Sequence, residues 1–222
     1  MSIKENLANI LKGLPEEVTL VAVSKTKPKE DILEAYDAGQ RIFGENKIQE
    51  MTQKWEVLPK DIEWHMIGHV QRNKVKYMAE YVTLIHGVDS LKLLKEINKQ
   101  AAKHNRIIDC LLQIHIAEEQ TKFGFSSEEI DQTITSGNLN KLLNINILGL
   151  MGMATFTEDS NQIKREFKTL KSIFYTTRKA IPNLTTVSMG MSGDYKIAIQ
   201  EGSTMVRIGS SIFGSRNYHN PI

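Results

Sequence analysis

Two kinds of residue in this sequence could together hold an aldehyde that carries a phosphate. Lys25 follows an apolar segment, residues 20–24, that is typical of a buried strand, and a lysine amine can condense with a carbonyl group. Far along the chain, glycine- and serine-rich turns at residues 188–193 and 209–211 follow consecutive predicted strands. Glycine allows a ligand to approach the backbone closely, and N–H groups at a helix start bind phosphate. The combination indicates a site for an aldehyde phosphate.

Lys25 is the centre of this hypothesis. A lysine condenses with a carbonyl only as the neutral amine, which burial and nearby positive charge favour. The end of a buried strand supplies the burial, and Arg207 or Lys27 could supply the charge. The alternative is an ordinary lysine at the edge of a loop.

Arg207 interrupts an otherwise apolar predicted strand, residues 205–208. A buried arginine needs partners, so its presence there is informative. Because arginine stays protonated, it can only donate hydrogen bonds to a ligand. The alternative is a structural salt bridge beneath the sheet.

The two turns supply the predicted phosphate site. Small side chains let backbone donors converge on one anion, and serine hydroxyl groups add further donors. The predicted phosphate residues are Ser188, Gly190, Ser192, Gly209 and Ser210. The alternative is a pair of tight turns and helix caps that bind nothing.

Eight short apolar segments alternate with helical patterns and must position these side chains. The predicted strands lie near residues 20–24, 41–43, 63–67, 82–87, 109–116, 145–151, 185–188 and 205–208. Between them, Gly39 is a plausible helix stop, Ser90 a natural N-cap, and Ser126 with Glu129 has capping-box spacing. Apolar residues at helical spacing also predict an extra N-terminal helix before the first strand.

This alternation predicts an α/β fold with a parallel sheet, and the count of eight suggests a closed (β/α)8 TIM barrel. Periodicity alone equally permits an open, doubly wound sheet. The ligand signals favour the barrel, because barrel phosphates commonly bind at the loops after strands seven and eight.

Length, charge and composition restrict the classes of protein to which this chain can belong. A length of 222 residues suits one domain, residues 1–222, and a net charge of +2 gives no global attraction to nucleic acid. No apolar run approaches a membrane span of ~20 residues. The single cysteine, Cys110, excludes an internal disulfide and fits a reducing, cytoplasmic compartment. No Cys/His cluster of the zinc type occurs, so no metal is expected.

Six motifs, in order along nearly the whole chain, resemble those of the pyridoxal phosphate homeostasis proteins. They are VAVSKTKP at 21–28, FGENKIQE at 43–50, HMIGHVQRNK at 65–74, LMGMATF at 150–156, SMGMSGDYKIAI at 188–199 and STMVRIGSSIFG at 203–214. No single motif is decisive, but six in the same order are very specific.

The resemblance implies a barrel like the N-terminal domain of alanine racemases, with pyridoxal 5′-phosphate (PLP) held as a Schiff base on Lys25. It also implies that Asn46 contacts the cofactor or solvent, and that Arg207 faces the pyridine nitrogen as in fold-type III enzymes. The implied role is vitamin B6 (PLP) homeostasis, without catalytic residues, in a cytoplasmic protein that could serve PLP-dependent client enzymes and that binds neither nucleic acid nor membranes.

The competing class is an amino-acid racemase related to alanine racemase. Such racemases carry an extra β-domain that contributes a catalytic tyrosine from the partner subunit. This chain ends shortly after Gly214, which leaves no room for that domain, so we expect a monomer. Tyr195 and Tyr218 have no motif context for the racemase role.

Overall fold

Eight parallel strands form the centre of the molecule in the computed structural model, which describes residues 2–119 and 123–214. The strands are β1 Thr19–Val23, β2 Ile42–Glu45, β3 Glu63–Met66, β4 Leu84–Val88, β5 Ile108–Gln113, β6 Ile145–Met151, β7 Thr186–Met191 and β8 Met205–Ile208. They follow one another around a closed barrel in chain order. Each overlaps one of the eight predicted segments.

Helices precede, connect and follow the strands. The α-helices are α1 Ile3–Lys12, α2 Lys29–Asp37, α3 Ile48–Val57, α4 Leu91–Lys103, α5 Ser127–Thr135, α6 Ser160–Ala180, α7 Tyr195–Gln200 and α8 Ser210–Phe213. A 3₁₀ helix, Arg72–Tyr77, takes the place of an α-helix between β3 and β4, and a second one, Leu139–Lys141, precedes β6. Helix α1 is the predicted addition before the first strand.

The pairing of β1 with β8 closes the sheet. Thr19 lies opposite Met205, and Ala22 lies opposite Ile208, in parallel register. An open doubly wound sheet would leave both of its outer strands with a free edge, whereas a barrel has none. The predicted (β/α)8 barrel is therefore confirmed.

The capping signals of the sequence occur at the predicted helix ends. The Ser90 hydroxyl accepts a hydrogen bond from the Leu93 backbone N–H at 3.3 Å at the start of α4. Ser126 and Glu129 form a capping box at the start of α5. Gly39, just after the C-cap of α2, has a φ of 101°, which glycine adopts more easily than other residues.

Alternation of side chains along the strands gives the barrel an inner and an outer core. The buried apolar residues of the inner core are Val21, Leu84, Leu111, Met151 and Met205. Large side chains such as Phe43, Trp64 and Phe167 belong to the outer core, between the sheet and the helices. His86 lies two residues after Leu84, and Arg207 lies two residues after Met205, so both side chains face the same interior. The inner core thus changes from apolar to polar toward the carboxyl ends of the strands.

The described residues also bear on membranes and metals. None of their helices is long and apolar enough to cross a membrane. Within residues 2–119 and 123–214, no group of three or more His, Cys, Asp or Glu side chains could hold a metal ion. Burial raises the pKa of the Cys110 thiol, which keeps this buried side chain in its neutral form.

Candidate functional site

A cavity of about 510 Å³ opens at the carboxyl ends of the barrel strands. Six of the eight predicted site residues line it, namely Lys25, Asn46, Ser192, Arg207, Gly209 and Ser210. They come from the loops after β1, β2 and β7 and from β8 and the turn that follows it. The barrel therefore brings together side chains that are far apart in the sequence, in a volume typical of small-ligand sites.

Lys25 lies two residues beyond the end of β1. Val21 packs in the inner core and Val23 lines the cavity, so alternate residues of β1 face the barrel interior and Lys25 continues this series. The Lys25 side chain is half-buried. The next residue, Thr26, has a φ of 61°, which is uncommon for a β-branched side chain.

The turns after β7 and β8 meet at the cavity. The Gly209 backbone N–H donates a hydrogen bond to the Ser192 hydroxyl at 3.2 Å. A Cβ atom at Gly209 would lie 3.1 Å from the Val23 carbonyl oxygen, so this position leaves little space for a side chain. Helix α8 begins at Ser210, where the first backbone N–H groups have no acceptor within the helix. Serine hydroxyls and backbone donors therefore converge at one end of the cavity.

Two predicted phosphate residues, Ser188 and Gly190, do not line the cavity. Ser188 is fully buried inside the barrel, where its hydroxyl lies beneath Arg207. Gly190 has a φ of 96°, and a Cβ atom there would lie 2.6 Å from the Ala198 Cβ atom of α7. The glycine thus serves the turn and its packing against α7, while the serine supports a cavity residue from below.

Arg207 is buried, and its charge is held by neutral oxygens. One guanidinium nitrogen donates to the Ser188 carbonyl at 2.9 Å and to the Ser188 hydroxyl at 2.6 Å. The other terminal nitrogen donates to the Gly152 carbonyl at 3.2 Å. Burial lowers the pKa of Arg207 to about 10, against the opposing effect of Asp194. The side chain stays protonated at neutral pH, so it can donate to a ligand atom in the cavity but cannot accept a proton from it.

Two buried histidines extend the hydrogen-bond network of Arg207 across the barrel. His86 Nδ1 lies 3.0 Å from the Ser188 hydroxyl, and His86 Nε2 lies 3.1 Å from His65 Nδ1. Burial lowers the pKa of His65 to about 3 and that of His86 well below its usual range, with His65 and Arg207 lowering the latter further. Both rings are therefore neutral. Neutral rings fit a network in which the Ser188 hydroxyl donates to His86 Nδ1 and the His86 Nε2–H group donates to His65 Nδ1.

Sequence reasoning missed several residues of this site. Thr155 and Asp194 line the cavity with apolar side chains such as Ile67 and Met153. Lys27, which the sequence suggested only as a charge near Lys25, also lines it. His86 was also missed, although a histidine within the apolar strand β4 is a signal of the same kind as Arg207 in β8. The loop after β6 was noted only as part of the motif at residues 150–156, and nothing in its sequence assigned Thr155 to the cavity.

Comparisons with known proteins agree with the barrel fold. The family description "Alanine racemase, N-terminal domain" matches residues 1–217. A relative from Vibrio alginolyticus named pyridoxal phosphate homeostasis protein is 40% identical over 209 residues, which cover 92% of this chain and 89% of the relative.

Two solved structures are similar to this chain in fold. PipY of Synechococcus elongatus PCC7942, solved with PLP bound, is 34% identical with a TM-score of 0.88, and the match covers 96% of this chain and 100% of PipY. An alanine racemase of Clostridium difficile 630 is 17% identical with a TM-score of 0.78. That match covers 98% of this chain and 58% of the racemase, and it shows a shared fold.

Proposed function

The chain belongs to the pyridoxal phosphate homeostasis protein family, and on that premise we propose that it binds PLP covalently through Lys25 and acts in PLP homeostasis. The observation that carries this proposal is the cavity itself, which Lys25, Arg207 and the two serine turns all line. PLP is the ligand that the structure of the similar protein PipY contains.

The cavity fits PLP in size and in chemistry. Its volume of about 510 Å³ lies within the usual range for small ligands. Gly209 has almost no space for a Cβ atom, and the donors beside it are neutral serine hydroxyls and backbone N–H groups. Such a set of small donors suits a phosphate, since it lets many N–H and O–H groups approach one anion. Ser192, Gly209 and Ser210 form this set, which we call the phosphate turns.

Three further cavity residues have roles that follow from their chemistry, namely Lys25, Arg207 and Asn46. When bound, PLP would supply an aldehyde carbon, and Lys25 as the neutral amine would hold it through a C=N bond, with loss of one water molecule. Arg207 would donate a hydrogen bond to the pyridine nitrogen and hold it unprotonated, because a guanidinium has no acceptor. Asn46 would donate or accept at the ring. Ser188 and His86 would keep Arg207 in place.

The proposal is one of binding and regulation in the cytoplasm. An unprotonated ring nitrogen makes PLP a poor electron sink, which suits a protein that holds the cofactor and influences its supply to client enzymes. The reduced, buried thiol of Cys110 fits a reducing compartment. We also propose that the protein acts as one monomeric domain, which light scattering on the purified protein would check.

Reduction with borohydride tests the linkage. We expect the phosphopyridoxyl mass on Lys25 in tandem mass spectra of the digested protein, and its loss in Lys25→Ala. Lys29→Ala is the matched control, since Lys29 is an exposed lysine at the start of α2. Attachment only to another lysine, such as Lys27 or Lys122, would contradict the assignment. Lys122 lies outside the described residues.

A racemase is the second candidate, because the shared fold of the C. difficile alanine racemase favours it. Racemisation needs acid and base groups on both faces of the cofactor. Tyr195 packs against the outer core and does not line the cavity, and Tyr218 lies outside the described residues. We expect no alanine turnover by the PLP-loaded protein. Turnover of about 1 per second that Lys25→Ala abolishes would favour the racemase.

A further inference from the structure

A cluster of charged side chains lies behind Lys25, on the outer side of the barrel wall. It consists of Glu45 at the end of β2 and Glu50 and Lys54 on α3, and we call it the outer clamp. Ser24 faces outward toward this cluster, while its neighbour Lys25 faces the cavity. None of the three clamp side chains lines the cavity. The clamp can therefore act on a ligand only indirectly, and its contacts with Ser24 and Thr26 flank Lys25.

The outer clamp holds the peptide on both sides of Lys25. Lys54 Nζ donates to the Ser24 carbonyl at 2.9 Å, and the Ser24 hydroxyl donates to Glu45 Oε1 at 2.6 Å. On the other side, the Thr26 backbone N–H donates to Glu50 Oε1 at 2.6 Å. Lys54 joins these contacts, because it also donates to Glu45 Oε1 at 2.8 Å and to Glu50 Oε1 at 2.7 Å.

The segment that the clamp holds has an unfavourable backbone conformation. Thr26 has a φ of 61°, and a β-branched residue adopts this left-handed region only at an energetic cost. The Thr26 hydroxyl donates to the Lys25 carbonyl at 2.6 Å, and the Lys27 N–H donates to the Ser24 carbonyl at 3.0 Å. Such a conformation persists only where surrounding contacts determine it, and the carboxylate of Glu50 on the Thr26 N–H is one of them.

The clamp is well placed to act as a rigid support. The Glu45 side chain is 0% exposed and that of Lys54 is 10% exposed, so their contacts exclude water. A buried hydrogen bond between charged groups is stronger than its exposed counterpart because the local dielectric is low. Glu50 is more accessible, with 22% of its side chain exposed, and can be changed with less harm to the core.

We propose that Glu45, Glu50 and Lys54 are positioning residues that fix the backbone at residues 24–26 and so aim the Lys25 amine at the aldehyde carbon of PLP. This inference rests on the proposed function, because it assumes that Lys25 is the residue that condenses with PLP. Positioning of a reacting group within about 1 Å can change a rate by as much as 10²-fold. The clamp should therefore govern the rate of covalent attachment and leave the phosphate turns intact.

The test compares attachment with binding in Glu50→Ala. We expect the rate of covalent PLP attachment, followed by the visible absorption band and by borohydride trapping, to fall about tenfold. Affinity for pyridoxine 5′-phosphate, which has an alcohol in place of the aldehyde, should stay within about twofold of the wild type. Glu50→Gln should be milder, because its amide oxygen can still accept from the Thr26 N–H.

Two further variants make the test specific. Glu56→Ala removes an exposed carboxylate from the same helix, and it should leave attachment and analogue binding unchanged. Thr26→Asn in the Glu50→Ala background should recover part of the rate, because asparagine adopts the left-handed conformation more easily than threonine.

Three results would overturn the proposal. One is Glu50→Ala attaching PLP at the wild-type rate, and another is an equal loss of analogue affinity, which would indicate a damaged cavity. The third is that Thr26→Asn, in the Glu50→Ala background, restores the melting temperature but not the rate of PLP attachment. Attachment in the wild type at a lysine other than Lys25 would instead remove the proposed function and this inference together.

Discussion

Two buried cations near Lys25, one on each side of the barrel wall, are held in different ways. Inside the barrel, Arg207 donates to three neutral oxygens of Ser188 and Gly152. Outside, Lys54 donates to two carboxylates, those of Glu45 and Glu50, and to one carbonyl. The charge of Lys54 is thus compensated locally, whereas the charge of Arg207 is solvated by dipoles and still acts on the cavity. The comparison separates a cation that supports structure from one that faces a ligand.

The largest expected loss in the free energy of unfolding comes from removing the cation of the outer clamp. Lys54→Met leaves the buried carboxyl group of Glu45 without its ammonium partner. Removing one member of a buried ion pair typically lowers the free energy of unfolding by about 3–5 kcal/mol. We expect a loss of this size in urea denaturation at pH 8, which lies above the raised pKa of Glu45 of about 7. A loss below about 1 kcal/mol would indicate that the pair is solvated like a surface pair.

Arg207→Met should cost less, because the groups that it leaves behind are neutral. The Ser188 carbonyl would keep its hydrogen bond from the Gly152 N–H, and the Ser188 hydroxyl would keep His86, so only the Gly152 carbonyl would lose its donor. An unsatisfied buried neutral group costs about 1–3 kcal/mol. We expect a loss of roughly 2–3 kcal/mol in the same denaturation experiment. The pKa of His86 should also rise, since Arg207 contributes to lowering it, and NMR titration would detect the change. A loss greater than that of Lys54→Met would reverse the comparison.

The stability contributed by the outer clamp and that contributed by the buried histidines should depend on pH with opposite signs. Burial raises the pKa of Glu45 from 4.5 to about 7, so between these values the folded protein binds a proton that the unfolded chain has released. The contribution of Glu45 to the free energy of unfolding therefore falls as pH rises through this window. Burial lowers the pKa of His65 from 6.5 to about 3, so its contribution falls as pH decreases below 6.5.

Urea denaturation across pH 4.5–7 would separate these contributions. Glu45→Gln should remove the loss of stability at rising pH, and His65→Gln should remove part of the loss at falling pH. Each effect is of the order of 2 kcal/mol, given about 1.4 kcal/mol per pKa unit and partial relaxation of the buried groups. Parallel pH profiles for the wild type and Glu45→Gln would contradict the raised pKa.

The smallest expected effect concerns the phosphate turns, which would hold charge with neutral donors only. Ser192→Ala and Ser210→Ala should each weaken PLP binding by about 1 kcal/mol, or roughly fivefold in Kd. Pyridoxal, which lacks the phosphate, should respond much less. The two losses need not add, because both groups would share one anion. Unchanged PLP affinity in both variants would place the phosphate elsewhere.

The sequence predicted the parts of this comparison that depend on local pattern. Short apolar segments indicated all eight strands, and the charged residue within one of these segments drew attention to Arg207. The sequence could not show that Ser188 and Gly190 do not line the cavity. The pairing of β7 with β8 shifts register between Ser188 and Met191, and this shift changes which side chains face the cavity. A register shift of this kind depends on both strands and leaves no signature in either one.

The outer clamp was missed for a related reason. Val23 pairs with Gly44, and this register places Ser24 beside Glu45 although they are 21 residues apart. The spacing of Glu50 and Lys54 at i and i+4 was visible, but it is equally typical of an exposed helix face. Only the packing of α3 against the barrel distinguishes a buried charge cluster from a surface pair.

The pairing of β1 with β8 has a consequence for biosynthesis. A ribosome delivers Lys25 early, whereas Arg207 and Gly209 emerge only after the seven preceding strands. Nascent protein therefore cannot hold a ligand between these residues, however completely its earlier units have folded. Because the joining contacts span nearly the whole described chain, closure of the barrel is a slow, non-local step of folding. A ligand between these residues should then be captured only by chains from which β8 has emerged.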